Sequence, residues 1–239
     1  PGSAFKPFVY AQALRKGFTP ETIVFDFPTE FSTECAPDGT PLVPENKDKC
    51  YMPENYDGKY HGPVSFRDAL AQSINVPSIQ VLYLAGLKES LRLAQDMGIS
   101  TLTDIDRYGL TLVLGGGEVT LLELTSAYGV FATEGERYPP ATLLRVTNKA
   151  GKTLESFEGR GARVLEKEIA QTITDILADN KARAPAFSAT SPLYFPGRDV
   201  AAKTGTTNDY RDAWIVGYTP QIVVGAWAGN NDNRPMHKI

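Results

Sequence analysis

The sequence predicts an α/β protein of the α+β type, with helices leading and an antiparallel sheet at the end. Two observations carry this. Apolar residues recur at helical spacing in several segments between residues 4 and 179, whereas the last forty residues hold three short β-type runs. The last two of those runs are separated only by Thr219-Pro220-Gln221, a connection that favours antiparallel neighbours. Size agrees: 239 residues, 42% of them hydrophobic and 10% aromatic, are enough for a substantial core and exclude a disordered or fibrous chain.

Taken in order, residues 4 to 16 read as a helix with Phe5, Phe8, Val9, Ala13 and Leu14 on the apolar side, stopped by Gly17. Residues 26 to 62 have no sustained periodicity and many turn formers, so they read as a long excursion. Ser65 with Asp68 resembles a capping box opening a helix that ends near Gln72. Ser73-Ile74-Asn75 then falls in a turn, Pro77 opens a helix through Leu84, and another helix covers about 88 to 97 before Gly98. Gly115-Gly116-Gly117 reads as a tight, exposed turn. No Gly-Lys-Ser/Thr follows to make it a phosphate cradle. Thr120 with Glu123 opens a helix whose Leu121, Leu124, Tyr128 and Phe131 belong to the core. A hairpin is expected from 142–147 and 152–157 around Asn148-Lys149-Ala150-Gly151, then an amphipathic helix over 165–179 with Ile169, Ile173, Ile176 and Leu177 inward. The closing strands are Val200 to Gly205, Ala213 to Tyr218 and Ile222 to Ala228.

A net charge of -4 with signs interspersed argues against nucleic acid as the main partner. No apolar run approaches the roughly 20 residues of a membrane span; the longest, Val76 to Leu87, is broken by Ser78 and Gln80. Cys35 and Cys50 lack the second Cys/His pair of a zinc site, so no metal or cofactor is expected. They suit a disulfide across the excursion if the domain lies in an oxidising compartment, and two free thiols if it does not. The opening Pro1-Gly2-Ser3 suggests an excised or incomplete piece of a longer protein.

Three motifs carry the chemistry: Ser3-Ala4-Phe5-Lys6, Ser73-Ile74-Asn75 and Lys203-Thr204-Gly205. Each is weak alone; Ser3 and Lys6 by themselves would pass for a helix cap and a solvated lysine. In this order, with no repeats, they form the S-x-x-K, S-x-N, K-T-G set of penicillin-binding proteins and serine β-lactamases. The chemistry is consistent. A serine hydroxyl needs a positioned base, and neither histidine, His61 or His237, sits in the context of a Ser-His-Asp triad. Lysine remains, provided burial or a nearby cation lowers its pKa. At i and i+3 Ser3 and Lys6 share a helix face, Pro7 is tolerated in a first turn, and a helix N-terminus favours developing negative charge.

The chain resembles, over nearly its whole length, the transpeptidase domain of class A, bifunctional penicillin-binding proteins. Besides the three motifs, Asn55-Tyr56-Asp57-Gly58, Gly115 to Phe131, Thr206-Thr207, Arg211-Asp212-Ala213-Trp214 and Gly217-Tyr218-Thr219-Pro220 carry the likeness. The resemblance implies a penicillin-binding/serine β-lactamase-like fold over residues 1–239, here lacking the N-terminal strands and the closing helix expected beyond Ile239, so that one side of the sheet lies open. It implies a peptidoglycan D,D-transpeptidase that forms a serine acyl-enzyme on D-Ala-D-Ala stem peptides, passes it to an amine acceptor and is inhibited by β-lactams. Its place would be the extracytoplasmic face of the bacterial membrane, held by an anchor and preceded by a glycosyltransferase domain upstream.

By the same resemblance Ser3 is the nucleophile and Lys6 its base. Ser73 relays a proton to the leaving amine, and Asn75 holds Lys6 and binds substrate backbone. Lys203 keeps the field positive and bonds toward Ser73, and Thr204 and Thr206, beside Gly205, receive the substrate carboxylate. The backbone N–H groups of Ser3 and Thr206 form the oxyanion hole. A D-alanyl-D-alanine carboxypeptidase or a β-lactam sensor module would keep the same motifs. A class A β-lactamase would need a deacylating E-x-x-x-N, but Leu122 stands four after Glu118 and Ala127 four after Glu123.

Overall fold

The computed structural model describes residues 1–237, with the side chains of Ile105, Asp106 and Asn208 set aside; Ile239 lies outside the described residues. A 3-10 turn, Gly2–Phe5, leads into α1 (Lys6–Arg15). After β1 (Ile23–Asp26) the excursion runs to β2 (Gly62–Ser65), followed by α2 (Phe66–Ala71), α3 (Asn75–Ala85), α4 (Leu87–Asp96) and the short α5 (Ile105–Tyr108). A 3-10 segment, Gly109–Leu114, precedes α6 (Leu121–Ala132). Then come β3 (Glu136–Arg137), the β4 (Arg145–Thr147) and β5 (Thr153–Ser156) hairpin, β6 (Ala162–Arg163), α7 (Lys167–Ala178) and α8 (Asn180–Phe187). Strands β7 (Ala201–Thr206), β8 (Asp212–Thr219) and β9 (Ile222–Gly229) close the fold as one antiparallel sheet in that order.

Several expectations need adjustment. Helix α1 is not amphipathic: every residue from Lys6 to Ala13 is buried, because α3, α4 and α7 all pack around it. Helix α3 starts two residues before Pro77, at Asn75, since proline is accommodated in a first turn and the helix can begin ahead of it. Strands β1 and β2 pair with each other, Ile23 opposite Ser65 and Asp26 opposite Gly62, although the excursion separates them. Helix α8 contains Pro185 and is capped by Asp179, which accepts from the Ala182 N–H; its proline and weak apolar pattern gave no helix signal. Ile169 on α7 is half-buried, while Ala170, Ile173, Ile176 and Leu177 form the inner face.

Two expected caps are formed. Ser65 accepts from the Asp68 N–H and Thr120 from the Glu123 N–H, each satisfying an orphan donor of a first helical turn. In the terminal sheet, alternate residues of β8 decide the layering: Trp214, Val216 and Tyr218 turn inward under α6 and α7, and the opposite face is open. An aromatic cluster then ties three elements together. The Phe8 and Tyr128 rings lie 5.5 Å apart edge to face, and Tyr128 meets Tyr218 of β8 at 6.1 Å. Tyr128 also donates its hydroxyl to the Ala4 carbonyl at 2.7 Å, anchoring the 3-10 turn that carries Ser3.

Candidate active site

The turn bearing Ser3 is seated by close backbone approaches. A Cβ on Gly205 would strike the Pro1 carbonyl, and one on Gly2 would strike the Thr206 backbone, so β7 lies directly against the Ser3 turn. Gly115 closes the other side, pressing against Gly2 with a positive φ of 82°. The triple glycine is therefore not merely an exposed turn, as its composition suggested: Gly115 packs on the Ser3 turn and Gly117 is buried.

Lys6, the first residue of α1, is fully buried and points at the second motif. Its Nζ donates to the Ser73 carbonyl at 2.6 Å, to Asn75 Oδ1 at 2.9 Å and to the Ile74 carbonyl at 3.2 Å, with Ser73 Oγ at 3.5 Å. Among the described residues Ser3 Oγ has no hydrogen-bond partner; the i, i+3 bond that the spacing allows is not formed. The reason is local: Ser3 sits in the 3-10 turn, and Lys6 is drawn to three oxygens of the second motif. Burial, and next the charge of Lys203, hold the Lys6 pKa well below the usual lysine range.

Ser73 ends α2 in the left-handed region, with φ at 62°. Its N–H bonds to Leu70 O at 3.1 Å and the Ile74 N–H to Ala69 O at 2.9 Å, the paired closure that usually selects glycine at the position of Ser73. A hydroxyl-bearing residue there costs on the order of 1 kcal/mol or more in backbone strain, the mark of a position chosen for its side chain. Lys203 reaches it from β7, donating to Ser73 Oγ at 2.7 Å and to its neighbour's carbonyl, Thr204 O, at 2.9 Å. Burial, then the positive charge of Arg183, push the Lys203 pKa down to about 7. Arg183, invisible as a site residue in the sequence, is itself buried and bonded to the Leu177 and Leu193 carbonyls.

Strand periodicity puts Thr204 and Thr206 on the face opposite Lys203 and Gly205, with Thr206 exposed. Beside Asn75 opens a cavity of about 600 Å³, lined by Glu54 of the excursion, Thr111 and Gly115, and Thr207 and Arg211 beyond β7. The excursion forming one wall carries the Cys35–Cys50 disulfide, whose Cα atoms are 5.6 Å apart. Both acidic residues weighed for deacylation are engaged elsewhere: Glu118 pairs with Arg107 at 2.5 Å, and Glu123 accepts from Ser100 Oγ at 2.5 Å.

A family profile, the penicillin binding protein transpeptidase domain, matches residues 1–235. The chain belongs to this family. Penicillin-binding protein 1A of Aquifex aeolicus is 35% identical over 239 residues, covering all of this chain and 30% of the relative. That of Neisseria meningitidis serogroup B is 32% identical over 252 residues, covering 100% and 29%. This transpeptidase domain therefore spans about a third of the length of the curated relatives it matches, which are class A penicillin-binding proteins. Among solved structures, penicillin-binding protein 1A of Haemophilus influenzae superposes with a TM-score of 0.78 at 27% identity, covering 98% of this chain and 38% of that one. PonA1 of Mycobacterium tuberculosis in complex with penicillin V gives a TM-score of 0.77 at 24% identity, covering 99% and 62%. Penicillin-binding transpeptidase domains thus share the fold. Among the described residues no helix is long and apolar enough to cross a membrane.

Proposed function

We propose that this domain is a peptidoglycan D,D-transpeptidase acting through an acyl-enzyme on Ser3. The observation that carries the reading is the meeting of the three motifs at Ser73: Lys6 Nζ donates to the Ser73 carbonyl and to Asn75 Oδ1, and Lys203 Nζ donates to Ser73 Oγ. A neutral Lys6 amine keeps two N–H donors for its two shorter contacts and a lone pair for a proton. In the acylation step that lone pair takes the Ser3 hydroxyl proton as Oγ attacks the carbonyl of the penultimate D-Ala. The oxyanion forms at the Ser3 and Thr206 N–H groups, a reading supported by the close approach of Gly2, the residue before Ser3, to the Thr206 backbone. Collapse expels D-Ala, whose amine takes a proton through Ser73, and an acceptor amine then displaces Ser3 from the acyl group. Thr204 and Thr206 receive the donor's terminal carboxylate in the field of Lys203.

The disulfide supports an oxidising, extracytoplasmic location, and the partial span of the relatives supports a domain within a longer, anchored protein. The test is incubation with a penicillin followed by peptide mapping. A single adduct on Ser3, absent from Ser3→Ala, is expected. An adduct on Ser73, or undiminished labelling of Ser3→Ala, overturns the assignment.

A further inference from the structure

Helix α3 begins without a cap from its own chain neighbours: its N-cap residue, Ile74, offers no side-chain acceptor. The first two N–H groups are instead taken by a residue twenty positions upstream. Asn55 Oδ1 accepts from the Asn75 N–H at 3.0 Å and from the Val76 N–H at 3.2 Å. The other end of the same amide donates from Nδ2 to both oxygens of Asp26, at 2.8 Å each, and to the Lys59 carbonyl at 2.7 Å. Backbone donors at one end and a carboxylate at the other leave the Asn55 amide a single orientation.

Asp26 is completely buried, and its only ion-pair partner among the described residues is His61. The His61 N–H donates to Asp26 Oδ2 at 2.9 Å and its Nδ1 lies 2.7 Å from the same oxygen, while Nε2 lies 3.3 Å from Asp57 Oδ2. Burying a carboxylate is costly unless its oxygens are satisfied, and here Asn55 and His61 between them satisfy both. A charge-assisted bond polarises the amide and strengthens what its oxygen does at α3. The neighbouring residue adds a second grip, since the Glu54 carbonyl accepts from Asn75 Nδ2 at 2.9 Å. Asn75 is thus held at its backbone by Asn55 and at its side chain by Glu54, leaving Oδ1 turned to Lys6.

We propose that Asn55, oriented by Asp26 and His61, is a positioning residue that sets Asn75 against Lys6. This inference rests on the proposed acylation of Ser3 with Lys6 as base. The alternative is that the same bonds merely keep the excursion closed, which would affect stability and not the chemistry of the folded protein.

The experiment measures acylation by a chromogenic β-lactam in the full chain, separating noncovalent binding from the chemical step and scaling to the folded fraction. In Asn55→Ala the chemical step is expected to slow at least about tenfold while noncovalent binding stays within about threefold. Asn55→Asp should be slow as well, because it sets two carboxylates against each other. Combining it with Asp26→Asn restores a donor–acceptor pair and should recover part of the rate. His61→Ala, at a half-exposed site, tests the relay without touching the cap and should slow the same step about two- to fivefold. It decides the matter if Asn55→Ala does not fold. A wild-type chemical step in folded Asn55→Ala, or in His61→Ala, overturns the proposal. Absence of labelling in the wild type would count against Ser3 acylation instead.

Discussion

The centre around Lys6 and the β4–β5 hairpin are built on opposite plans. At the centre Lys6 and Ser73 are held from far along the chain, Lys6 by residues 67 to 69 positions away and Ser73 by Lys203 at 130. In the hairpin every partner is local. Asn148 Oδ1 accepts from the Ala150 and Lys152 N–H groups, and all of β5 is exposed. The first plan makes a site in which the environment sets each group's protonation and direction. The second makes a surface element that tolerates change. Substitutions should therefore separate cleanly by region.

Lys6→Arg should have the largest effect. It keeps a positive charge where the proposed mechanism needs a neutral base, and arginine stays protonated, so Ser3 acylation by penicillin should be nearly abolished. Stopped-flow acylation within a few-fold of wild type would erase the distinction drawn for the centre. Joint replacement of Cys35 and Cys50 by alanine comes next. Their loop closes over a sequence separation of 15, for which chain entropy gives about 3 kcal/mol, often less in practice. A lowered midpoint in denaturant with the acylation step retained is expected, because neither cysteine contacts Lys6, Ser73 or Lys203. Smallest of all, Leu154→Thr on the exposed hairpin strand should change stability by no more than about 0.5 kcal/mol and leave acylation alone. A larger loss there, seen by thermal melting, would show the hairpin to be covered in the intact protein.

The same contrast explains what could be read from the sequence. The caps at Ser65 and Thr120 and the antiparallel closing strands follow from neighbours within a few residues and lie within a residue of where the pattern places them. The hairpin forms with shorter strands, Arg145–Thr147 and Thr153–Ser156, than the expected 142–147 and 152–157. The three motifs were equally legible, since their residue types are rare together. The supporting residues were not. Asp26 looks like the first residue of a loop until β1 pairs with β2 across the excursion, and only then is its carboxylate buried beside Asn55. Asn55 lay within a run of turn formers whose composition says nothing about capping a helix twenty residues on. Tyr128 read as core, which it is, but its hydroxyl on Ala4 also anchors the Ser3 turn. Arg183 was hidden in a helix that Pro185 concealed.

The central claim is that burial, and next the charge of Lys203, hold the Lys6 pKa well below the ordinary lysine range, which favours the unprotonated amine proposed as the base. In the proposed mechanism its active form is the unprotonated amine, so acylation should rise as pH climbs through the Lys6 pKa, with that limb well below the ordinary lysine value of about 10.4. Removing the neighbouring charge should raise that pKa. In Lys203→Met the ascending limb of the acylation profile is therefore expected to move to higher pH, on top of a slower maximum from the lost bond to Ser73 Oγ. A limb that stays in place or moves to lower pH in that variant, or a wild-type limb at the ordinary lysine value, would contradict the account.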